Sequence, residues 1–420
     1  MKGSMNPVAT DAPPVAGGLA AKTGAGYLRQ AGDFHMSIST TLVAARAPVA
    51  AFAAMGVLWG TFAAVLPDLK AQLDATESEL GLLILPTPLA AVTAMLLAPL
   101  IGAALGRIAL PVATLLMAAA FALPGQAAQV WLFPLAMMAC GGATGLTDVL
   151  MNARVAALEN DRGLHLMNLC HAAYSFGYAG GAIGTGLMRG EGWPPGWVMG
   201  TMALTAGILA LMTWERDGTI HGLRKPKDGT AGHLGLIPVI GGGIVLIAFL
   251  TENAAENWSA LHIEKTLGGS PEEGAMGPAA LALTMGFARL AGQGIVTRVN
   301  PFRLLMGGAV LSAFGALGAA LATTPMMAYA GFIVMGIGSS VIAPTAFSLV
   351  GRLADPQARA RAVARATLFG YFGYFFGPPS LGFIAGAFGL RFAFVFASVM
   401  LLAVLILAPL MARQNRLQAA

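Results

Sequence analysis

Along the chain, apolar residues do not alternate with polar ones; they come in long runs separated by short polar breaks. A helix needs about 20 mostly apolar residues to cross a hydrocarbon layer about 30 Å thick. Runs of that kind predict twelve spans. The first six are expected at about 47–68, 79–101, 109–126, 130–154, 166–188 and 196–214. The other six are expected at about 234–258, 274–294, 303–322, 326–350, 363–387 and 391–412. The third and fourth spans, like the ninth and tenth, are separated by so few residues that only helices reversing direction can be joined there. Residues 1–44, rich in Gly, Ala and Pro and without an apolar run, are expected to form a disordered tail. They show no signal-peptide core, and Met36 is an alternative start. The expected units are an N-terminal six-helix bundle at 45–214, a linker at 215–233, a C-terminal bundle at 234–412 and a short tail at 413–420.

Composition turns this pattern into a membrane protein. Hydrophobic residues make up 57% of the chain and charged residues only 10%, with a mean hydropathy of +0.73. Soluble domains carry about 25% charged residues, so the apolar surplus here must face lipid. The net charge of +5 could suggest nucleic acid, but the placement of the charges argues otherwise. With the N-terminus inside, Lys70, Arg189, Lys265 and Arg391 are the basic residues of the outer loops; the rest lie on the opposite side or in the tails. Basic residues gather on the cytoplasmic side of membrane proteins. The expected location is therefore the inner membrane, with both termini cytoplasmic and no nucleic-acid partner. Cys140 and Cys170 fall inside apolar segments with no CxxC, which gives no disulfide framework.

The two halves look like copies of one plan. Gly102 to Arg107 follows the second span and Gly292 to Arg298 follows the eighth. The glycines of the fourth span (Gly141, Gly142, Gly145) answer those of the tenth (Gly336, Gly338). On this basis the chain resembles the major facilitator superfamily from about residue 45 onward. The superfamily's loop signature is Gly-x-x-x-Asp-Arg; Gly102 and Arg107 match it, while Gly106 stands where Asp is usual and Gln293 departs in the second copy. Three segments resemble a bacterial branch related to fucose permeases. They are Asp148-Val-Leu-Met151-Asn152, the run Glu252 to Leu261 containing Glu256-Asn257-Trp258-Ser259, and Gly370-Tyr371 through Gly377-Pro378-Pro379. The resemblance implies an all-α major facilitator fold, two pseudo-symmetric six-helix bundles around a central site. It also implies secondary transport by alternating access and a gate loop at Gly102, Arg107, Gly292 and Arg298. That branch and its relatives are associated with sugars, vitamins and copper.

Ionisable groups inside a bilayer cost at least about 2.5 kcal/mol each on insertion scales, so they are candidates for function. Glu252 and Glu256 lie four residues apart on the seventh span and share a helical face. Glu252 reads as a proton-coupling or solute-binding group, or as a helix-to-helix hydrogen bond at the outer gate. Glu256, nearer the surface, reads as solvated, and Asn257 beside it is a further candidate contact. Asp148, one turn before Asn152, calls for a cationic partner in Arg154 or Arg107, as an inner-gate ion pair or a coupling site. His171 is the only histidine well inside a predicted span, with Asn168 and Tyr174 near the same face as hydrogen-bond partners. Arg289, deep in the eighth span, reads as an ion-pair partner, an anchor for an anionic solute, or a snorkelling side chain. Trp59, Trp258, Tyr371 and Tyr374 are candidate ring-stacking walls of a cavity, with packing or an interfacial belt as the alternative. Pro67, Pro344, Pro378 and Pro379 are expected to break or bend helices and act as hinges. Met167 with His171, and Met137, Met138 and Cys140, give a weak soft-metal pattern; no metal site is assigned.

These residues support a secondary transporter for a small polar solute, sugar-like or vitamin-like, probed first as proton-coupled uptake by a monomer in contact with lipid. A drug or metabolite efflux antiporter is the alternative, although Gly177 to Gly184 lacks the proline that such antiporters carry in the fifth helix. Copper import is a lesser one. No nucleotide-binding loop, nucleophile motif or metal cluster is present, so no enzyme, catalytic residue or cofactor is expected.

Overall fold

The computed structural model describes residues 43, 45–162, 166–220, 235–291, 298–355 and 358–419. Almost all of the expected N-terminal tail, most of the expected linker, and Gly292 and Gln293 lie outside the described residues. Ala45–Ala420 forms one compact unit.

Among the described residues every span is helical. The first six are α1 (Arg46–Gln72), α2a and α2b (Glu77–Ile84, Pro86–Leu105), α3 (Ala109–Phe121), α4 (Leu132–Arg162), α5 (Met167–Gly190) and α6 (Pro195–Leu211). The second six are α7 (Ile237–Leu261, extended by a π turn at His262–Thr266), α8 (Pro271–Ala291), α9 (Pro301–Leu321), α10 (Pro325–Leu353), α11 (Arg359–Phe388) and α12a with α12b (Leu390–Leu402, Val404–Ala419). Backbone N–H and C=O groups in hydrocarbon must bond within their own segment, and helices do this. The helix starts carry their own chemistry. Thr76 and Glu79 form a reciprocal capping box on α2a, Asn300 accepts from the Phe302 and Arg303 amides at α9, and Thr324 caps α10.

The prolines behave differently from expectation. Pro67, Pro344, Pro378 and Pro379 all sit inside continuous helices. The second span is divided instead at Leu85, just before Pro86, whose missing N–H removes a bond of the helical ladder. The turn between α3 and α4 is also longer than expected, spanning 122–131 with a 3₁₀ turn at Pro124–Gln126, whereas that between α9 and α10 is 322–324. α12b runs through Ala419, across the stretch expected as a tail.

Small residues set the helix spacing. A Cβ on Gly60 of α1 would lie 1.9 Å from the Tyr178 carbonyl oxygen of α5, so the two backbones can meet only where the side chain is absent. Among the described residues seven helical stretches are long and apolar enough to cross a membrane. α5, α8 and α11, which line the space between the halves, are not among them. Leu96, Leu100, Leu204, Ile208, Phe314 and Ile406 are exposed, giving the apolar outer surface that lipid covers.

The halves meet through α5 with α8 and through α2a with α11. Gly81 on α2a packs against the Pro378 carbonyl, and Ser78 Oγ donates to the Gly382 carbonyl at 3.4 Å. At the same end of the helices, Arg189 closes α5 onto α1 and α7. It binds Asp68 at 2.7 Å through both Nε and Nη2, Glu264 at 2.7 and 3.1 Å, and the Ala64 carbonyl at 2.7 Å. Its side chain is 1% exposed. Arg189, expected in an outer loop, is therefore the buried centre of an ion cluster joining the halves.

Candidate functional site

A cavity of ≈ 730 Å³ lies between the two sets of helices, walled by α1, α2b, α4 and α5 on one side and α7, α8, α10 and α11 on the other. It extends from Trp59, Tyr178 and Pro378 toward Asn152, Met167 and Val363 at the end away from the Arg189 cluster. The helices facing it supply its polar groups.

From α7 come Phe249, Glu252, Asn253, Glu256 and Asn257, recurring three and four residues apart on one face. Glu252 is 6% exposed, and among the described residues neither it nor Glu256 has a hydrogen-bond or ion-pair partner. Glu256 was expected on a solvated face; it lines the cavity instead, because the inner face of α7 continues past Glu252 by one more turn. Asn253 Oδ1 is buried without a partner, as are the Thr87 and Thr144 hydroxyls on the opposite wall.

Asp148 of α4 also faces the cavity, but the expected pairing with Arg154 or Arg107 does not form. Arg154 binds Glu215 at 2.8 Å and the Asp217 carbonyl at 2.9 Å, while Arg107 lies over the Trp214 ring at 6.0 Å. Asp148 accepts instead from Asn152 Nδ2 at 3.0 Å and from the Tyr371 hydroxyl at 3.4 Å, the latter across the midline. Asn152 also donates to the Asp148 carbonyl. Arg289 of α8 faces the cavity too; its Nη1 donates to Ser175 Oγ of α5 at 3.3 Å, and among the described residues it makes no ion pair.

Aromatic rings form much of the wall. Trp59 packs edge-on against Phe62 and Phe121, Phe249 stacks on Tyr374 at 4.7 Å, and Tyr371 sits at 6.0 Å from both. His171 lines the cavity with its ring edge-on to Phe52 at 5.0 Å, and Met167 lies one turn away.

Three candidates fall elsewhere. Trp258 is fully buried in the core and does not reach the cavity, because it lies on the face of α7 away from Glu252. Asn168 is exposed and does not line the cavity beside His171. His171 is not the only histidine held in a helix: His262 is fully buried in the π turn, bonded to the Ala319 carbonyl at 3.0 Å.

In the gate loop, Gly102 is buried in α2b and Arg107 is exposed in a 3₁₀ turn. Gly106, which replaces the usual Asp, has φ of +56°, a conformation that glycine reaches without strain. Arg298 is exposed before α9. Among the described residues no group of three or more His, Cys, Asp or Glu side chains is placed to hold a metal.

Sequence reading missed Glu256, Asn253, Ser175 and Tyr178 as parts of this site. Glu256 and Asn253 were within reach, since extending the Glu252 face by one helical turn passes through them. Ser175 and Tyr178 carried no signal until α5 was seen packed on α1 and α8.

Known proteins agree with this arrangement. A family model described as Major Facilitator Superfamily matches residues 242–419. An uncharacterized MFS-type transporter of Yersinia pestis is 30% identical over 360 residues, covering 84% of this chain and 92% of that protein. The fold is similar to that of a bacterial homolog of the human lysosomal transporter Spinster in an inward-facing, unoccupied conformation, with a TM-score of 0.67, 15% identity, and 91% and 97% of the two chains covered. It is also similar to that of the nucleoside transporter NupG, with a TM-score of 0.68, 13% identity, and 89% and 98% covered. The pair of six-helix sets, the cavity between them and the relative in Yersinia lead to one assignment: this chain belongs to the major facilitator superfamily of membrane transporters.

Proposed function

We propose that the protein takes up a small polar solute, sugar-like or vitamin-like, coupled to protons, by alternating access across the inner membrane as a monomer. The observation that carries this reading is the Glu252–Glu256 face of α7, two carboxylates turned into a central cavity without a partner. A carboxylate without a directly bonded counter-charge takes up a proton when its surroundings dry and releases it when water returns. Alternating access supplies that change of surroundings, and the solute hydroxyls find acceptors in Asn152, Asn253 and Asn257.

The charge pattern supports cytoplasmic termini. On that orientation the Arg189 cluster is the outer gate and the cavity lies on the cytoplasmic side of it, the inward-facing state. The halves are taken as 45–214 and 234–412 with a linker at 215–233, and Gly102, Arg107, Gly292 and Arg298 as the inner gate loops. Asp148 holds the inner part of the cavity together through Tyr371.

The test uses the purified full chain. A solute that raises its thermal stability is found by screening sugars and vitamins, then followed into proteoliposomes. Glu252→Gln is expected to abolish accumulation driven by an inside-alkaline pH gradient while keeping solute exchange. Accumulation that ignores the gradient in the unaltered protein, or survives in Glu252→Gln, overturns the coupling.

A further inference from the structure

The central cavity has an uneven balance of charge. Asp148, Glu252 and Glu256 face it with a single guanidinium, Arg289. Asp148 is already served by Asn152 and Tyr371, and Arg289 is turned onto Ser175. That leaves Glu252 and Glu256 as two acceptor-only groups on one helical face with nothing among the described residues donating to them.

A second observation points the same way. Asn253, between the two carboxylates in sequence, is 6% exposed, lines the cavity and has a buried Oδ1 without a partner. It adds a third acceptor to the same wall. Facing it are ring walls from Trp59, Tyr174 and Tyr374. Ring faces carry negative quadrupoles and attract cations. An anion would meet two carboxyl groups against one guanidinium, and a neutral solute would leave both carboxyls to be neutralised by protons in a site of low dielectric.

We infer that the solute carries a protonated amine, seated against Glu252, Glu256 and Asn253, on a ring or apolar body lying among the aromatic walls. This rests on the reading of the cavity as the solute site and narrows its substrate class. An ammonium supplies three donors and one positive charge, which matches the acceptors left open. Two carboxylates on one face hold one proton and one ammonium together, so amine binding and proton coupling share the site without excluding each other.

The test uses the purified full chain and three probes of equal shape: 2-phenylethylamine, 2-phenylethanol and phenylacetate, with D-xylose as a neutral polyol. The readout is thermal stabilisation as a function of probe concentration. 2-Phenylethylamine is expected to stabilise at concentrations at least about tenfold below 2-phenylethanol, the discrimination of one charge-assisted contact, and phenylacetate is expected to give no effect. Glu252→Gln and Glu256→Gln should each weaken the amine by about tenfold. The comparison among probes on the unaltered protein stands even if a variant fails to fold. Equal stabilisation by the alcohol or the acid, or none by the amine, overturns the inference. Stabilisation by D-xylose without stabilisation by the amine overturns it too, while leaving polar-solute transport intact.

Discussion

Two regions of this protein hold charged side chains inside a membrane fold, and they treat them in opposite ways. In the Arg189 cluster every strong group is paired: the guanidinium fork binds Asp68 and Glu264 and also a backbone carbonyl. In the central cavity Glu252 is buried and Glu256 half-buried among aromatic rings, and among the described residues neither has a hydrogen-bond or ion-pair partner. Burying a charge costs free energy in both places. In the cluster that cost is offset by mutual attraction, which joins two halves of the molecule; in the cavity no ion pair among the described residues offsets it. The difference teaches that burial alone does not tell a structural ion cluster from the wall of an open cavity.

Removing Arg189 should have the largest effect. Arg189→Met leaves Asp68 and Glu264 facing each other, and breaking a buried pair in this way costs about 3–5 kcal/mol. A marked fall in melting temperature is expected, together with faster labelling of cysteines placed beside Ser78 or Gly382, where α2a meets α11. An unchanged melting temperature would mean that the cluster is no latch.

Next comes the spacing that holds the cavity walls. Gly60→Val forces a side chain onto the Tyr178 carbonyl, and overpacking of this kind costs about 1–3 kcal/mol. Gly180, with open space where its Cβ would be, is the control; Gly180→Ala should leave the melting temperature unaltered or slightly raised. Equal losses from both would remove the close approach of α1 and α5 as the cause.

Trp258→Phe should cost about 1 kcal/mol through the smaller ring in the core and leave the transport KM unchanged. A raised KM with stability intact would return Trp258 to the solute site. The smallest effect on stability is expected from Glu252→Gln, within about 0.5 kcal/mol or slightly stabilising, because it removes an unpaired buried charge and no ion pair. A loss as large as that of Arg189→Met would show that Glu252 is held by a partner and erase the contrast between the regions.

Much of the fold was legible in the apolar runs. Each described helix covers the core of a predicted span. The site was legible only in part. Glu252, Asp148, Asn152, His171, Asn257, Arg289, Trp59, Tyr371 and Tyr374 reach the cavity, whereas Trp258 and Asn168 do not. Helical periodicity says which residues share a face, but not which face turns inward.

By itself, then, the sequence determined that the chain folds as membrane helices, because apolar length and backbone hydrogen bonding in hydrocarbon allow little else. Local caps and prolines also mark the starts of α2a, α2b, α6, α9 and α10. Tertiary structure alone decided which charges are satisfied. Arg189 and Glu264 are 75 positions apart, and Asp148 and Tyr371 are 223 apart. No local pattern encodes such pairings; they exist only once two sets of helices have packed face to face, and so does the want of a partner at Glu252 and Glu256.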